Sequence, residues 1–230
     1  MTYDFDSHSA AYEVELKKAI SFAGQDASVF TEAKARALLA LARERIGDME
    51  SASALDVGCG IGNIHRSLAP QFAEFQGVDV SAGLIDVARA SNRDVAYQAY
   101  DGVELPFESN TFDLSFAICV LHHVPPTQWE TFIAEMARVV RPGGLVAVIE
   151  HNPLNPGTRL VTLRCAFDED IVLVWRRRLE QLMRRTRLRD TASRYILFSP
   201  WRSATVERAE HWLGHLPLGA QYITYGNKNP

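Results

Sequence analysis

The hydrophobic positions of this chain fall into two patterns. In the first fifty residues, Phe30, Ala33, Ala37, Leu38, Leu41 and Ala42 recur at three-to-four spacing and so share one stripe of a helix. From residue 54 onward, ALDV, FQGVDV, VAYQAY, FDLSFAICVL and LVAVIE each have the length and make-up of a buried strand. Helical segments separate them. NIHRSLAPQF is short and perturbed near its end by Pro70, and SAGLIDVARA has Ser81 placed as its N-cap. TQWETFIAEMARVV carries an apolar stripe of Trp129, Phe132, Ile133, Met136 and Val140 behind a Thr127–Glu130 capping box, and RPGG is placed to stop it. Past residue 160, Ile171, Trp175, Leu179 and Leu182 predict another helix, ERAEHWLGHL a further one, and SRYILF and AQYITYG two more strands.

Strands alternating with helices at these lengths predict βαβ units, hence an α/β fold with a doubly wound, largely parallel sheet covered on both faces. Ligands of such sheets bind outside the carboxyl ends of the strands. Asp56, Asp79, Asp101, the segment Ala117 to His123, and Glu150 to Asn152 all lie at or just after predicted strand ends, so one rim should gather them. The length suits a single domain over 1–230. Within it, 1–50 reads as a helical N-terminal lid region, rich in aromatics through YDFDSHSAAYEVELKKAISFAG. Residues 51–155 read as the cofactor-binding half, and 156–230 as acceptor-side helices and closing strands.

Composition narrows the function classes. The chain is 47% hydrophobic and 23% charged, as expected of a globular protein, and no stretch approaches 18 uninterrupted apolar residues, so no integral membrane association is expected. Its start, MTYDFDSHSA, is acidic and polar, unlike a signal peptide. A net charge of −4 provides no global field for nucleic acid. Cys59, Cys119 and Cys165 are widely spaced and fit neither a disulfide framework nor a zinc pattern, so a cytoplasmic protein without a metal is expected.

The stretch LDVGCGIGN carries the first specific chemistry. Gly58, Gly60 and Gly62 are spaced G-x-G-x-G, whereas a dinucleotide loop reads G-x-G-x-x-G and brings helix amides to a pyrophosphate. The Asp56 carboxylate ahead of the loop would repel a pyrophosphate but suits a cationic ammonium or sulfonium. Asp79, at the end of the next strand, can accept both hydroxyls of a ribose. Asp101, at the end of the third, can accept from an adenine amine. S-adenosylmethionine carries all of these groups, and a nicotinamide dinucleotide is the poorer match.

The successive segments ALDVGCGIGN, GVDVS, YDGVELPF, FDLSFAICVLHHV and RPGGLVAVIEHNP resemble, in order and spacing from about Ala54 to Pro153, the motifs of class I S-adenosylmethionine-dependent methyltransferases, closest to the type 11-like, small-molecule branch. The chain ends are also similar to a bacterial subgroup with an N-terminal helical region and an EHNPLNP segment. The resemblance implies a Rossmann-like, seven-stranded sheet whose last strand, AQYITYG, is antiparallel. It implies that Asp56, Gly58, Gly60 and Gly62 hold the methionine part of the cofactor and Asp79 its ribose. Val80 would lie beside the adenine, Asp101 and Gly102 would meet the adenine edge, and the Ala117 carbonyl would receive the cofactor amino group. The product would be S-adenosyl-L-homocysteine.

Transfer from a sulfonium requires in-line placement of the acceptor, exclusion of water and, for some acceptors, a base. His122 and His123 in LHHV, with Glu150 and His151 in EHNP, are the candidates. A neutral imidazole can take a proton from a hydroxyl or amine, and the resemblance favours His123 for it. The plainer alternatives are histidines that shape the pocket and a Glu150 that accepts from backbone amides. Cys59 and Cys119 read as small buried residues rather than nucleophiles. WRRRLEQLMRRTRLRD reads either as a solvated helix or as a landing site for an anionic acceptor, with Arg159 and Arg164 nearer the expected pocket and Phe167, Tyr195 and Trp201 as wall or core.

The expected function is methyl transfer from S-adenosylmethionine to a small-molecule substrate, with anionic and carrier-linked acceptors included. One alternative is a nucleic-acid methyltransferase. Enzymes acting on base amino groups show an Asp/Asn-Pro-Pro-aromatic signature directly after the fourth strand, where this chain reads CVLHHVPPTQW. The other is a non-catalytic S-adenosylmethionine-binding partner protein; the intact acids Asp56, Asp79 and Asp101 argue against lost cofactor binding and do not prove turnover. The sequence leaves the oligomeric state open.

Overall fold

The computed structural model describes residues 27–163, 171–198 and 213–230. The strands are β1 (Ser53–Val57), β2 (Glu74–Asp79), β3 (Ala96–Ala99), β4 (Phe112–Ile118), β5 (Val140–His151), β6 (Leu188–Ile196) and β7 (Gln221–Lys228). They form one seven-stranded sheet in the order β3-β2-β1-β4-β5-β7-β6. Neighbours from β3 through β5 pair in parallel, and β7 runs antiparallel between β5 and β6. The helices are α1 (Ala27–Arg45), α2 (His65–Leu68), α3 (Ala82–Ser91), α4 (Trp129–Val139), α5 (Pro156–Thr162) and α6 (Arg176–Arg185). The fold is the doubly wound α/β sheet with an antiparallel last strand that the sequence predicts.

Both faces of the sheet are buried, which is why its central strands are apolar at consecutive positions. Leu145, Ala147 and Ile149 of β5 pack with Leu38, Leu41 and Ala42 of α1. Val146 and Val148 point the other way, into a core shared with Phe132 and Met136 of α4 and Leu179 and Leu182 of α6. The same alternation carries Glu150 onto the α4–α6 face, where no part of it is exposed. β1 lies between β2 and β4, so the connections leave it in opposite directions along the sheet. The carboxyl ends of β1 and β4 therefore flank a crevice at the point where strand order reverses.

Several local expectations are corrected. The Thr127–Glu130 capping box does not form: Pro126–Gln128 is a turn of 3-10 helix, Gln128 is the N-cap of α4, and no side chain caps it. RPGG lies inside β5 rather than in a loop, because Val140 pairs with Phe112 and a register shift before Leu145 absorbs the two glycines. Val140 is thus a strand residue, although buried as expected. Ile171 and Trp175 fall outside α6. Residues 171–175 run without helix past the site, held by Val172 N donating to His122 O at 3.3 Å and the Tyr222 hydroxyl donating to Val174 O at 2.7 Å. The arginine-rich stretch is split, since α6 ends at Arg185 and β6 begins at Leu188.

Other expectations hold. Ser81 caps α3 by accepting from Leu84 N at 3.2 Å, and Pro70 stands at the start of the 3-10 turn that ends α2. The α1 stripe is buried at Leu38, Leu41 and Ala42, joined by Ala35 and Leu39. Most of the proposed lid, residues 1–26, lies outside the described residues, as does most of ERAEHWLGHL. No helix among the described residues is long and apolar enough to cross a membrane.

Candidate active site

The loop after β1 turns sharply because three glycines adopt left-handed backbone, Gly58 at φ 78°, Gly60 at φ 53° and Gly62 at φ 70°. Gly58 is required twice over, since a Cβ there would stand 2.5 Å from Val120 Cγ2 in the loop after β4. Gly60 differs: a Cβ there would meet no atom of the described residues within 4 Å. Gly58 N and Cys59 N donate to Val78 O at 2.8 and 2.9 Å, and Gly60 N donates to Asp79 Oδ2 at 2.8 Å. The loop is thereby tied to the end of β2.

Three carboxylates border this crevice in different states. Asp56, at the end of β1, is 2% exposed. Its Oδ2 lies 2.8 Å from His65 Nε2, whose Nδ1 lies 2.5 Å from the Tyr97 hydroxyl. Asp56 Oδ1 is buried with no hydrogen-bond partner among the described residues. Asp79 accepts from Gly60 N and, through Oδ1, from Ser81 N at 3.0 Å. Burial raises its pKa despite those two bonds, and nearby Asp56 adds to the rise. Asp101 is exposed and accepts from Val103 N at 2.8 Å and Glu104 N at 3.1 Å, which hold its pKa below the usual carboxylate value. Val80 is 52% exposed, and Gly102, at φ 80°, comes close to it. Ala117 is buried in the β4–β5 ladder opposite Val148, just before the strand ends.

Past Ile118 the chain turns through Cys119, a non-glycine residue at φ 58°, into the 3-10 turn Leu121–His123. Glu150 organises this turn from below. Its Oε1 accepts from Leu121 N at 2.8 Å, and its Oε2 accepts from His122 Nδ1 at 2.6 Å. Burial would raise the Glu150 pKa, but the adjoining His122 charge and hydrogen bond bring it below the ordinary value. His123 stacks obliquely on His122, with ring centroids 4.2 Å apart, and His151 lies 5.1 Å from His122. Burial and neighbouring His122 depress the His123 pKa to about 3, so the ring is neutral at ordinary pH. His151 Nδ1 lies 3.3 Å from Gln221 Nε2, which also approaches Cys119 Sγ at 3.2 Å. The four candidate groups His122, His123, Glu150 and His151 thus form one cluster at the ends of β4 and β5.

Sequence reading missed the supports. His65, Tyr97, Val120 and Gln221 each hold or shape a site residue through contacts that only the folded chain makes. His65 carries the one available signal, a polar residue on the buried face of a very short helix. Cys59 and Cys119 are half-buried rather than buried as expected, and burial with the nearby carboxylates pushes the Cys59 thiol pKa up. Arg159 is exposed on α5, Tyr195 is buried against Tyr222, and Arg164, Cys165, Phe167 and Trp201 lie outside the described residues. Among the described residues, no group of His, Cys, Asp and Glu is arranged to hold a metal ion.

Residues 55–148, from β1 through most of β5, match the family model described as a methyltransferase domain. A methyltransferase GfsG of Streptomyces halstedii is 34% identical over 114 residues, 46% of this chain and 40% of that protein. The demethylmenaquinone methyltransferase of Staphylococcus aureus is 34% identical over 112 residues, covering 46% of this chain and 45% of that one. The matches thus span less than half the length of these curated relatives. A SAM-dependent methyltransferase structure from Thermotoga maritima superposes with a TM-score of 0.71 at 17% identity, covering 98% of each chain, which establishes likeness of fold.

Proposed function

We infer that this member of the class I S-adenosylmethionine-dependent methyltransferases moves a methyl group from S-adenosylmethionine to a small-molecule acceptor, releasing S-adenosylhomocysteine. The observation that carries the reading is Asp56 Oδ1, a buried carboxylate oxygen beside the glycine loop that has no partner among the described residues. An unsatisfied charged oxygen in that position is costly unless a ligand donates to it. A cationic amino acid end fits it, and a pyrophosphate does not. No atom of the described residues within 4 Å of a Cβ at Gly60 would block that end from approaching the backbone.

The remaining roles follow from what each group can do. When bound, the cofactor supplies a methyl on a sulfonium that needs no further activation. Asp56 accepts from its ammonium, with Gly58, Gly60 and Gly62 allowing close approach and the Ala117 carbonyl as a second acceptor. Asp79 keeps lone pairs for the ribose hydroxyls beyond those used by Gly60 N and Ser81 N. Val80 and Gly102 form the wall for the adenine, and Asp101 accepts from its amino edge. His123, a neutral imidazole, takes a proton where the acceptor loses one. Glu150 is a positioning residue: both of its oxygens are engaged within the protein, and it orients His122 and the 121–123 turn. His151 borders the acceptor side.

Calorimetric titration with S-adenosylhomocysteine and with NAD tests the cofactor. Binding of the former alone is expected, and Asp79→Ala should abolish most of that affinity. Binding of NAD alone would refute the reading. Incubation with methyl-labelled cofactor and a metabolite pool should then transfer label to a small molecule rather than to RNA or DNA.

A further inference from the structure

A second opening lies on the same rim, beyond β5. It is a cleft of about 700 Å³ lined by Trp175, Arg176, Arg177 and Arg178 at the start of α6, by Tyr195 of β6 and by His215. We propose that this cleft seats an oxyanion of the acceptor, a phosphate or a carboxylate attached to a flat or apolar body. The proposal rests on the methyltransferase reading for the identity of its ligand as an acceptor, and on the cleft itself for the anion.

The start of α6 is built against its own electrostatics. Three consecutive arginines occupy the first turn, which contains no acidic residue, although the N-terminus of a helix is its positive end. The N-cap is Trp175, which makes no capping bond. Arg176 pairs with Glu180 at 2.7 Å, but Arg177 and Arg178 have no partner among the described residues. No carboxylate lines the cleft among those residues. An anion bound there would satisfy the guanidinium groups and the exposed amides of the first turn together.

An independent observation comes from Tyr195. It is 7% exposed and lines the cleft, its hydroxyl has no hydrogen-bond partner among the described residues, and Arg176 lies over its ring at 5.5 Å. Tyr195 is on the cleft wall, where an oxyanion would accept from its hydroxyl. Trp175, 56% exposed, and Leu154, 54% exposed, add apolar surface for the body of the ligand. The volume falls within the range of small-molecule sites, roughly 300–1,000 Å³.

The cleft is joined to the histidine cluster by covalent and hydrogen-bonded structure. Asn152, on its wall, follows His151 directly. Residues 171–175 run from the His122 carbonyl, which accepts from Val172 N, to the first turn of α6. An acceptor held by its anion at the arginines is thereby tethered beside the groups expected to face the methyl donor.

Titration of the full chain with inorganic pyrophosphate and, separately, with benzoate tests the proposal. Three proteins are compared: wild type, R177Q/R178Q, and R184Q/R185Q, which removes equal charge from the other end of the helix. At least tenfold weaker binding of one probe in R177Q/R178Q alone is expected, and the probe that binds tighter identifies phosphate or carboxylate as the source. Tyr195→Phe should weaken the same probe without altering the fold. No binding of either probe, or equal loss in both double variants, overturns the cleft as a site. S-adenosylhomocysteine affinity is measured alongside and should be the same in all variants. Its absence in wild type refutes the methyltransferase reading, while the pyrophosphate and benzoate arms still decide the cleft.

Discussion

His65 holds Asp56 in place from a neighbouring turn, with its Nε2 2.8 Å from Asp56 Oδ2 and its Nδ1 2.5 Å from the Tyr97 hydroxyl. The three groups fix one another's protons. Burial raises the Tyr97 pKa, so the hydroxyl keeps its proton and donates to Nδ1. That leaves the Nε2 proton for the carboxylate. The bond occupies one Asp56 oxygen and leaves the other unpartnered among the described residues. His65→Ala should therefore cost about 1–3 kcal/mol of stability, by leaving buried groups unpaired, and weaken S-adenosylhomocysteine binding about tenfold. His65→Gln, which can still donate to Asp56, should recover part of the affinity. Calorimetry of both variants checks this, and unchanged affinity in His65→Ala removes the positioning role.

The two glycines that flank Cys59 should fail differently. Gly58→Ala meets both a left-handed backbone and the Val120 side chain at 2.5 Å, so it should cost well over the roughly 1–2 kcal/mol of the backbone strain alone. Among the described residues Gly60→Ala meets only the backbone strain, because none of their atoms lies within 4 Å of its methyl. Its main loss should be cofactor affinity. Thermal melts and titrations of the pair separate the effects, and equal Tm values would contradict the contact with Val120.

Glu150 lies fully buried between Leu121 N and His122, so its removal strands both. Glu150→Ala should cost about 1–3 kcal/mol, the scale for leaving buried hydrogen-bonding groups unpaired, and Glu150→Gln less. Its pKa is lowered in the fold, so its contribution is present above the unfolded value and is lost as pH falls through the folded one. Denaturant melts at neutral pH measure the cost. A Glu150→Ala protein as stable as wild type would show that the 121–123 turn does not depend on this carboxylate.

His123 predicts a second, opposite-signed group with the same acid consequence. Its pKa falls from 6.5 to about 3 on folding, so between those values the unfolded chain binds the extra proton. Stability therefore rises with pH across that window and declines on acidification below about 6.5. His123→Gln should flatten the Tm profile between pH 4 and 6.5, an interval drawn from the same reference value of about 6.5. Turnover should show no acid limb near 6.5 from this ring. His123→Gln should lower turnover more than cofactor affinity, and a variant matching wild type in both assigns His123 to packing.

Periodicity was enough to place the strands, the parallel sheet and the rim, because burial on both faces leaves runs of consecutive apolar residues, such as Phe116 to Ile118 in β4 and Leu145 to Ile149 in β5. The glycine spacing and the acids after β1, β2 and β3 pointed to the cofactor, since those residues act close to where the backbone puts them. Local helix signals misled where tertiary pairing outweighed them: Phe112 drew Val140 and the RPGG segment into a strand, and His122 and Tyr222 held 171–175 out of the helix. Nothing local marks the bond from His65 to Asp56, the burial that keeps His123 neutral, or the meeting of the α6 arginines with Tyr195. Those depend on side chains distant in sequence arriving within hydrogen-bond or ring-contact distance, which sheet order and register decide. The sequence determined the glycine loop and the acids at the strand ends; the packing of β5, β6 and α6 decided which side chains distant in sequence meet, because sheet order and register bring them together.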